Sequence, residues 1–384
     1  MNNSSNYIRV GTTYYQKISK IDRYGIKRTE LKVWNRPTIV LDHGKDTANA
    51  VEKFYDFTMI PNNVNYEYQI NGNYNLYAPF EHSPIGDEKL TDKCQFPWIE
   101  KLLKHIWGYD EVSYEKACRY IKILYEYPKQ TLPILVLTST ERQTGKSTLV
   151  DFFNILFGAN TVVINPADIS NSFNEPYATK NIIMIEESRF DSVQATEKLK
   201  NLATQKKISV NAKFVQQYSL PFFGKIIITS NDEQKFSKVD EEEIRYWVLK
   251  IPTLKGKENH NILEDMTKEI PYFLQFLKDK ETPDFTKSRQ VFTNEEIRTD
   301  ALLRVKRESR PELQKEIEFL LENHCMNNRD IKTLFFTAMD IKNKFFEKNG
   351  NITIAYINKI LKNHMSLEKS EKATRYIPIE TFTI

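Results

Sequence analysis

Gly145, Lys146, Ser147 and Thr148 stand between an apolar run and an amphipathic one, residue types suited to holding a phosphate chain. A glycine beside the lysine lets backbone N–H groups approach an anion. The lysine reaches the outer phosphate oxygens, and the Ser147 hydroxyl is a ligand for Mg²⁺. Arg142, Gln143 and Thr144 complete the loop. The usual G-x-x-x-x-G-K-[ST] pattern wants another glycine where this chain has Thr140, a residue that fits only if the backbone there is ordinary. Two further groups could act on a bound phosphate. Glu186 and Glu187 close the apolar run Ile182–Ile185, and phosphoryl chemistry needs one acid for hydrated Mg²⁺ and one for the attacking water. Glu186 is assigned to the metal and Glu187 to the water. Asn231 ends "KIIITSN", where an amide can bond both outer phosphate and water, and Arg245 follows the acidic stretch "VDEEEI". An arginine aimed at a γ-phosphate offsets the charge that develops during transfer. The plainer readings are a solvated pair of strand-end glutamates, an Asn turn cap and a surface ion pair for Arg245.

The elements that must position these residues are legible as pattern. "PILVL", "TVVINP", "NIIMIEES" and "GKIIITSND" are short apolar runs alternating with helical segments, which implies an α/β fold with a parallel sheet sandwiched by helices. In such a sheet the ligand sits at the carboxyl ends of the strands. After the loop, Leu149, Phe152, Phe153 and Leu156 share one helical stripe, with Gly158 as the stop. From Pro97 to Tyr127 the apolar spacing is again helical. Residues 1–90, with alternating Tyr and Asn and punctuation at Pro61, Gly72 and Pro79, read as a small N-terminal α+β domain of unassigned role. Residues 91–275 are read as the helical lead-in and the phosphate-binding domain. Residues 276–330 form a charged helical connector, and 331–384 a second small domain.

Length and composition agree with a globular chain. With 384 residues, 40% hydrophobic and 12% aromatic, it can bury a full core and divide into domains. The amino terminus lacks an apolar stretch of signal-peptide length, and no run approaches a membrane span, so a cytoplasmic location is expected. Three scattered cysteines form neither a disulfide framework nor a zinc pattern and are expected to be reduced, buried thiols. The formal charge is +4, and from Ile331 onward nine basic residues face five acidic ones, so the whole excess lies in the tail.

"STERQTGKSTL", "NIIMIEES", "LKNLATQKKISVNAKFVQQYSLPFFGKIIITSN" and "EEIRYWVLKIP", in that order over Pro97 to Thr253, resemble the ordered motifs of superfamily 3 helicases, the AAA+ motors of viruses and mobile elements. The resemblance is to the helicase part of phage and plasmid primase-helicases. It implies an AAA+ P-loop NTPase core that uses ATP and Mg²⁺, with Lys146 and Ser147 on phosphate and magnesium. Glu186 and Glu187 would be the acidic pair, Asn231 the sensor and Arg245 a finger acting on a neighbour's site. It also implies a homo-oligomeric, usually hexameric, ring in a bacterial or phage-infected cell. Two departures stand: Glu-Glu where Asp-Glu is common, and Ile244 before Arg245 where two arginines often stand.

The family's DNA-gripping hairpin would fall at about Ile208 to Phe223. Alternation there sets Lys206, Lys207 and Lys213 among Phe214, Tyr218 and Phe222, with lysines for the backbone and most aromatics inward. The tail reads as a helix, a turn at Gly350, a helix near Thr353 to Asn363 and a basic strand pair. That is a winged-helix-like arrangement, with Lys359 and Lys362 facing DNA or a protein partner. The implied activity is an ATP-dependent DNA helicase on single-stranded and forked DNA. The alternatives are a helicase loader or initiator ATPase without processive unwinding, and a nucleotide-gated DNA-binding regulator. "YNLYAPF", with Asn75, Tyr77 and Pro79, resembles the segment upstream of the motor in primase-helicases, but no pattern supplies a primase's acids; a separate primase or polymerase is the expected partner. A de novo primer-synthesis assay on the purified chain should therefore be negative.

Overall fold

Alternating side chains set the first elements. β1 (Tyr7–Val10), β2 (Thr13–Ile21) and β3 (Lys27–Trp34) form an antiparallel meander, and after α1 (Arg36–Asn49) β4 (Glu52–Phe54) returns parallel to β1, giving the order β3-β2-β1-β4. Asn35 caps α1 through the Thr38 N–H at 2.9 Å. β5 (Phe57–Thr58), β6 (Gln69–Ile70) and β7 (Asn73–Asn75) make a three-stranded sheet. Asn75 and Tyr77 have structural work here. The Asn75 amide bonds the backbone of Ile60 and Glu67, and the Tyr77 hydroxyl donates to Asn63 Oδ1 at 2.5 Å inside the core. The computed structural model describes residues 3–86, 95–186, 190, 193–211, 217–234, 236–254, 259–286, 289–327, 334–347, 349–365, 367 and 374–376.

The helical lead-in forms α2 (Pro97–Trp107) and α3 (Glu111–Glu126), followed by β8 (Ile134–Thr138) and α4 (Lys146–Phe157), which stops at Gly158 with φ 56°. Next come β9 (Thr161–Ile164), α5 (Pro166–Ser170), α6 (Glu175–Ala178), β10 (Ile182–Ile185) and α7 (Val193–Leu202). The hairpin β11 (Lys207–Val210) and β12 (Tyr218–Pro221) precedes β13 (Lys225–Ser230) and β14 (Tyr246–Lys250). The five core strands pair in the order β14-β8-β13-β10-β9, every pair parallel. Successive residues point to opposite faces, and both faces are dry. Leu135, Leu137, Met184, Ile227 and Trp247 join one core with α2, α3, α4 and α8 (Ile262–Asp279). Ile134, Val136, Ile183, Ile228 and Val248 join a second with α7 and the hairpin. The expected α/β fold with a parallel sheet is thus present.

Two long-range devices bind the flanking pieces to this sheet. Glu269 of α8 accepts the N–H groups of Trp98 and Ile99 at 3.0 and 2.9 Å, capping α2 from a distant part of the chain. The β2–β3 turn is held by Asp22 and reaches α4 and β9. Arg23 meets Asp151 at 3.2 Å, Tyr24 donates its hydroxyl to the same carboxylate, and Arg28 donates to Thr161 O at 2.8 Å. The N-terminal residues consequently belong to one unit with the sheet, Met1–Val305, and Lys306–Ile384 form a second. The connector expected over 276–330 is shared between them. α9 (Asn294–Ile297) and the start of α10 (Asp300–Ser309) bury Ile297, Leu302 and Val305 in the first unit's cores, while α11 (Glu312–Met326) builds the second.

In the second unit α11 packs with β15 (Leu334–Phe336), α12 (Ala338–Phe345) and α13 (Ile354–Asn363), the last close to the expected helix and capped by Thr353. Among the described residues the strand pair joins the end of the tail to its start, rather than lying wholly after the second helix as expected. β16 (Thr374–Tyr376) pairs antiparallel with β15, upstream of both helices, because Leu334 and Phe336 offer an alternating edge that joins the core. Cys118 and Cys325 are free and buried. Among the described residues no helix is long and apolar enough to cross a membrane.

Two lysines sit under the amino ends of the sheet. Burial pushes Lys225 down to about 7 and Lys180 down to about 8, with Arg28 adding to the latter. Lys225 Nζ donates to the carbonyls of Pro128 and, at 2.7 Å, Phe223. Unfolded lysines titrate near ~10.4, so between those values the unfolded chain binds more protons and stability rises with pH. The penalty is absent above the unfolded value and grows as pH falls toward 7. Denaturant melts should show stability rising by about 1 kcal/mol or more from pH 7 to pH 9, with a smaller slope in Lys225→Met.

Candidate active site

Parallel pairing brings the sequence-selected residues to one edge. Thr138 ends β8 level with Ser230 of β13, and Ile228 is level with Ile185 of β10. The loop leaves β8, Asn231 follows β13, and Glu186 follows β10. Since β13 lies between β8 and β10, the acid stands two strand spacings, about 10 Å, from the loop's strand. Asn231 occupies the gap. It is exposed, and Glu186 is half-buried with its N–H on Ile164 O at 3.4 Å. Glu187 lies outside the described residues.

The loop itself is built from outside. Gly145 caps α4 with φ 80°, the left-handed conformation glycine adopts without strain, and Gln143 takes φ 54°. Thr140 is not among the positive-φ residues, so its conformation is ordinary. Two consecutive carbonyls are pinned. Leu254 N–H donates to Gln143 O at 3.0 Å, and His105 Nε2 meets Thr144 O at 3.1 Å. A carbonyl only accepts, so Nε2 carries the proton and Nδ1 accepts from the Tyr109 hydroxyl at 3.3 Å. In a trans peptide the N–H points opposite the C=O. Holding those two carbonyls back therefore turns the N–H groups of Thr144 and Gly145 outward, a concave pair suited to an anion. Lys146 is buried and folds its ammonium onto Ser139 O at 2.9 Å. Burial lowers its pKa against the opposing pull of Glu233. Ser147, Arg142 and Gln143 are exposed, and Thr148 is half-buried in the first turn of α4.

Arg245 is not part of this cluster. Its carbonyl accepts from Ile134 N–H at 2.7 Å, which puts it at the amino end of the sheet, one full strand from the loop, roughly 16 Å along β8. Its guanidinium meets Glu243 at 3.3 Å, and Glu243 also faces Lys200 at 3.5 Å. The acids around Lys200, Asp240 among them, outweigh burial and raise the lysine's pKa.

The remaining basic residues lie apart from the loop. Lys206 and Lys207 are exposed on the hairpin, whose alternation buries Ile208, Val210, Leu220 and Phe222 and half-buries Tyr218 against Phe57. Lys213 and Phe214 lie outside the described residues. In the second unit Lys359 and Lys362 are exposed on α13 while Ile357, Ile360 and Leu361 face its core. Among the described residues no group of three or more His, Cys, Asp or Glu could hold a metal ion unaided.

A family of unknown function (DUF5906) matches residues 137–245, the stretch from the end of β8 to the first residue before β14. The apo structure of the NrS-1 C terminal region (305-718) is similar at TM-score 0.68 and 16% identity over 97% of this chain and 95% of that one. The chain shares its fold with the NrS-1 C-terminal region. An A form apo structure of the same region gives TM-score 0.66, again at 16% identity over 97% of this chain and 96% of that one. A further A form apo structure of the NrS-1 C terminal region gives 0.61 at 15% over 91% and 80%. No curated protein matches.

Sequence reading missed His105, Tyr109, Leu254 and Glu233. No motif marks them, because each reaches the loop from a different element; the spacing of His105 and Tyr109, four apart across the end of α2, was the one available signal. Replacing His105 with Leu leaves the buried Thr144 carbonyl without its donor. It should cost about 1–3 kcal/mol in denaturant unfolding, with His105→Gln losing less.

Proposed function

We propose that the chain is an ATP-hydrolysing, ring-forming DNA helicase of the AAA+ superfamily 3 type, acting in replication of a phage or mobile element. The observation that carries the reading is the shared carboxyl edge: the loop with Lys146, the acid Glu186 and the amide Asn231 end three neighbouring parallel strands. Outward N–H groups of Thr144 and Gly145 would take the phosphate chain, with Lys146 leaving Ser139 O for its outer oxygens. The Ser147 hydroxyl and Glu186 would hold Mg²⁺ together with phosphate oxygens. When bound, the ion would neutralise charge on the transferred group. Asn231 would orient water, with Glu187 as its base.

Placing Arg245 at the opposite end of β14 favours a role in trans, because no side chain spans that distance within one chain. In a ring the amino end of one sheet can face the phosphate loop of the next copy. The exposed lysines Lys206 and Lys207, with Lys213, would track the backbone of single-stranded DNA, and Lys359 and Lys362 would face forked DNA. The fold shared with the NrS-1 C-terminal region is consistent with this reading.

Hydrolysis should rise with single-stranded DNA and fall at least about 100-fold in Lys146→Ala. Arg245→Ala should be similarly slow. Mixing the two inactive variants should restore activity, because a Lys146→Ala copy still offers its arginine to a neighbour. Failure of mixing to recover hydrolysis in a confirmed mixed oligomer would remove the trans role. Hydrolysis indifferent to DNA would favour the nucleotide-gated regulator.

A further inference from the structure

Thr140 stands where the phosphate-loop pattern usually carries glycine, and its contacts explain the exchange. Its N–H donates to Glu233 Oε1 at 3.2 Å, and its hydroxyl donates to the same oxygen at 3.4 Å. A glycine would keep only the first bond. The other carboxylate oxygen, Oε2, receives Lys250 Nζ at 2.7 Å. Three strand ends meet at this one carboxylate: Thr140 follows β8, Glu233 follows β13 two residues past Asn231, and Lys250 is the last residue of β14. Because β8 lies between β13 and β14, the Glu233 side chain lies across the mouth of the loop strand.

A carboxylate at the mouth of an anion-binding loop opposes the ligand electrostatically, so its presence calls for a compensating role. Hydrogen bonds from Lys250 and Thr140 outweigh burial and hold Glu233 below the usual carboxylate range, keeping it charged. The Glu233 side chain is only 16% exposed, whereas Lys250 is half exposed and Thr140 is exposed, so the carboxylate is the shielded member of the arrangement.

We propose that Thr140, Glu233 and Lys250 form a latch that fixes the Asn231 turn over the phosphate loop, making Glu233 a positioning residue for cleavage of the outer phosphate. The proposal rests on the ATP reading above. The latch bears on where Asn231 stands and leaves the cradle of Thr144, Gly145 and Lys146 intact. Its loss should therefore slow turnover while nucleotide still binds.

The test is a set of variants assayed for nucleotide binding, using a fluorescent ATP analogue, and for steady-state hydrolysis. Glu233→Ala should lower kcat about tenfold with the binding constant within about threefold of wild type. Thr140→Ser, which keeps both donors, should match wild type, and Thr140→Val should be intermediate. Thr140→Val and Glu233→Gln together should lose less than the sum of the single losses, since both act through one bond. Unchanged kcat in Glu233→Ala, or strictly additive effects, would overturn the latch. A wild-type chain that neither binds nor hydrolyses nucleotide would sink the ATP reading instead. In that case amide hydrogen exchange without nucleotide decides the latch: Thr140 and the turn 231–234 should exchange faster in Glu233→Ala while Thr144 and Gly145 stay as in wild type, and unchanged exchange in the turn would rule the latch out.

Discussion

Five core strands run the same way, and the rest of the molecule follows from that constraint. A parallel sheet collects all its carboxyl ends on one edge and all its amino ends on the other. Residues far apart in sequence, the loop before Lys146, Glu186 and Asn231, become neighbours simply by ending strands. The same rule carries Arg245, which begins a strand, to the far edge. Helices must cover both faces, because every residue of β8 and β10 is buried.

That burial has costs, met by a few specific polar contacts. Lys225 and Lys180 lie under the amino ends with depressed pKa values, bonded to carbonyls that the strand geometry leaves open. Glu269 serves the first amides of α2, orphaned because a helix has no preceding turn to accept them. At the carboxyl edge the helix α2 returns the favour through His105, which holds a loop carbonyl and so aims the following N–H outward. The N-terminal meander joins the same body through the Arg23, Tyr24 and Arg28 turn, so the hairpin tip, the loop helix and β9 share one polar seam.

Much of this was legible in residue order. Runs such as "PILVL" and "NIIMIEES" are apolar throughout because both sides of the sheet are dry, and the stripe Leu149, Phe152, Phe153 and Leu156 faces a core as its spacing requires. The stop at Gly158 and the helix from Ile354 to Asn363 follow from local sequence pattern alone. Less legible were contacts between distant elements. The tail's strand partner was upstream of α12, the connector was divided between two units, and the N-terminal residues joined the sheet's unit. Strand pairing and docking depend on which surfaces meet, and single-residue patterns do not encode that.

The sequence by itself determined the alternation of strand and helix, the glycine turn before Lys146 and the identity of the acids, amide and arginine that could act on a phosphate. These depend on side-chain type and on periods of two and 3.6 residues, which any local stretch carries. Only the tertiary structure decided that β13 lies between the loop strand and the acid strand, that Arg245 stands a strand's length from the loop of its own chain, and that Thr140 has Glu233 as its partner. The reason is the same in each case: strand order is fixed by long-range packing, and a residue's neighbours across a sheet are set by that order rather than by its place in the chain.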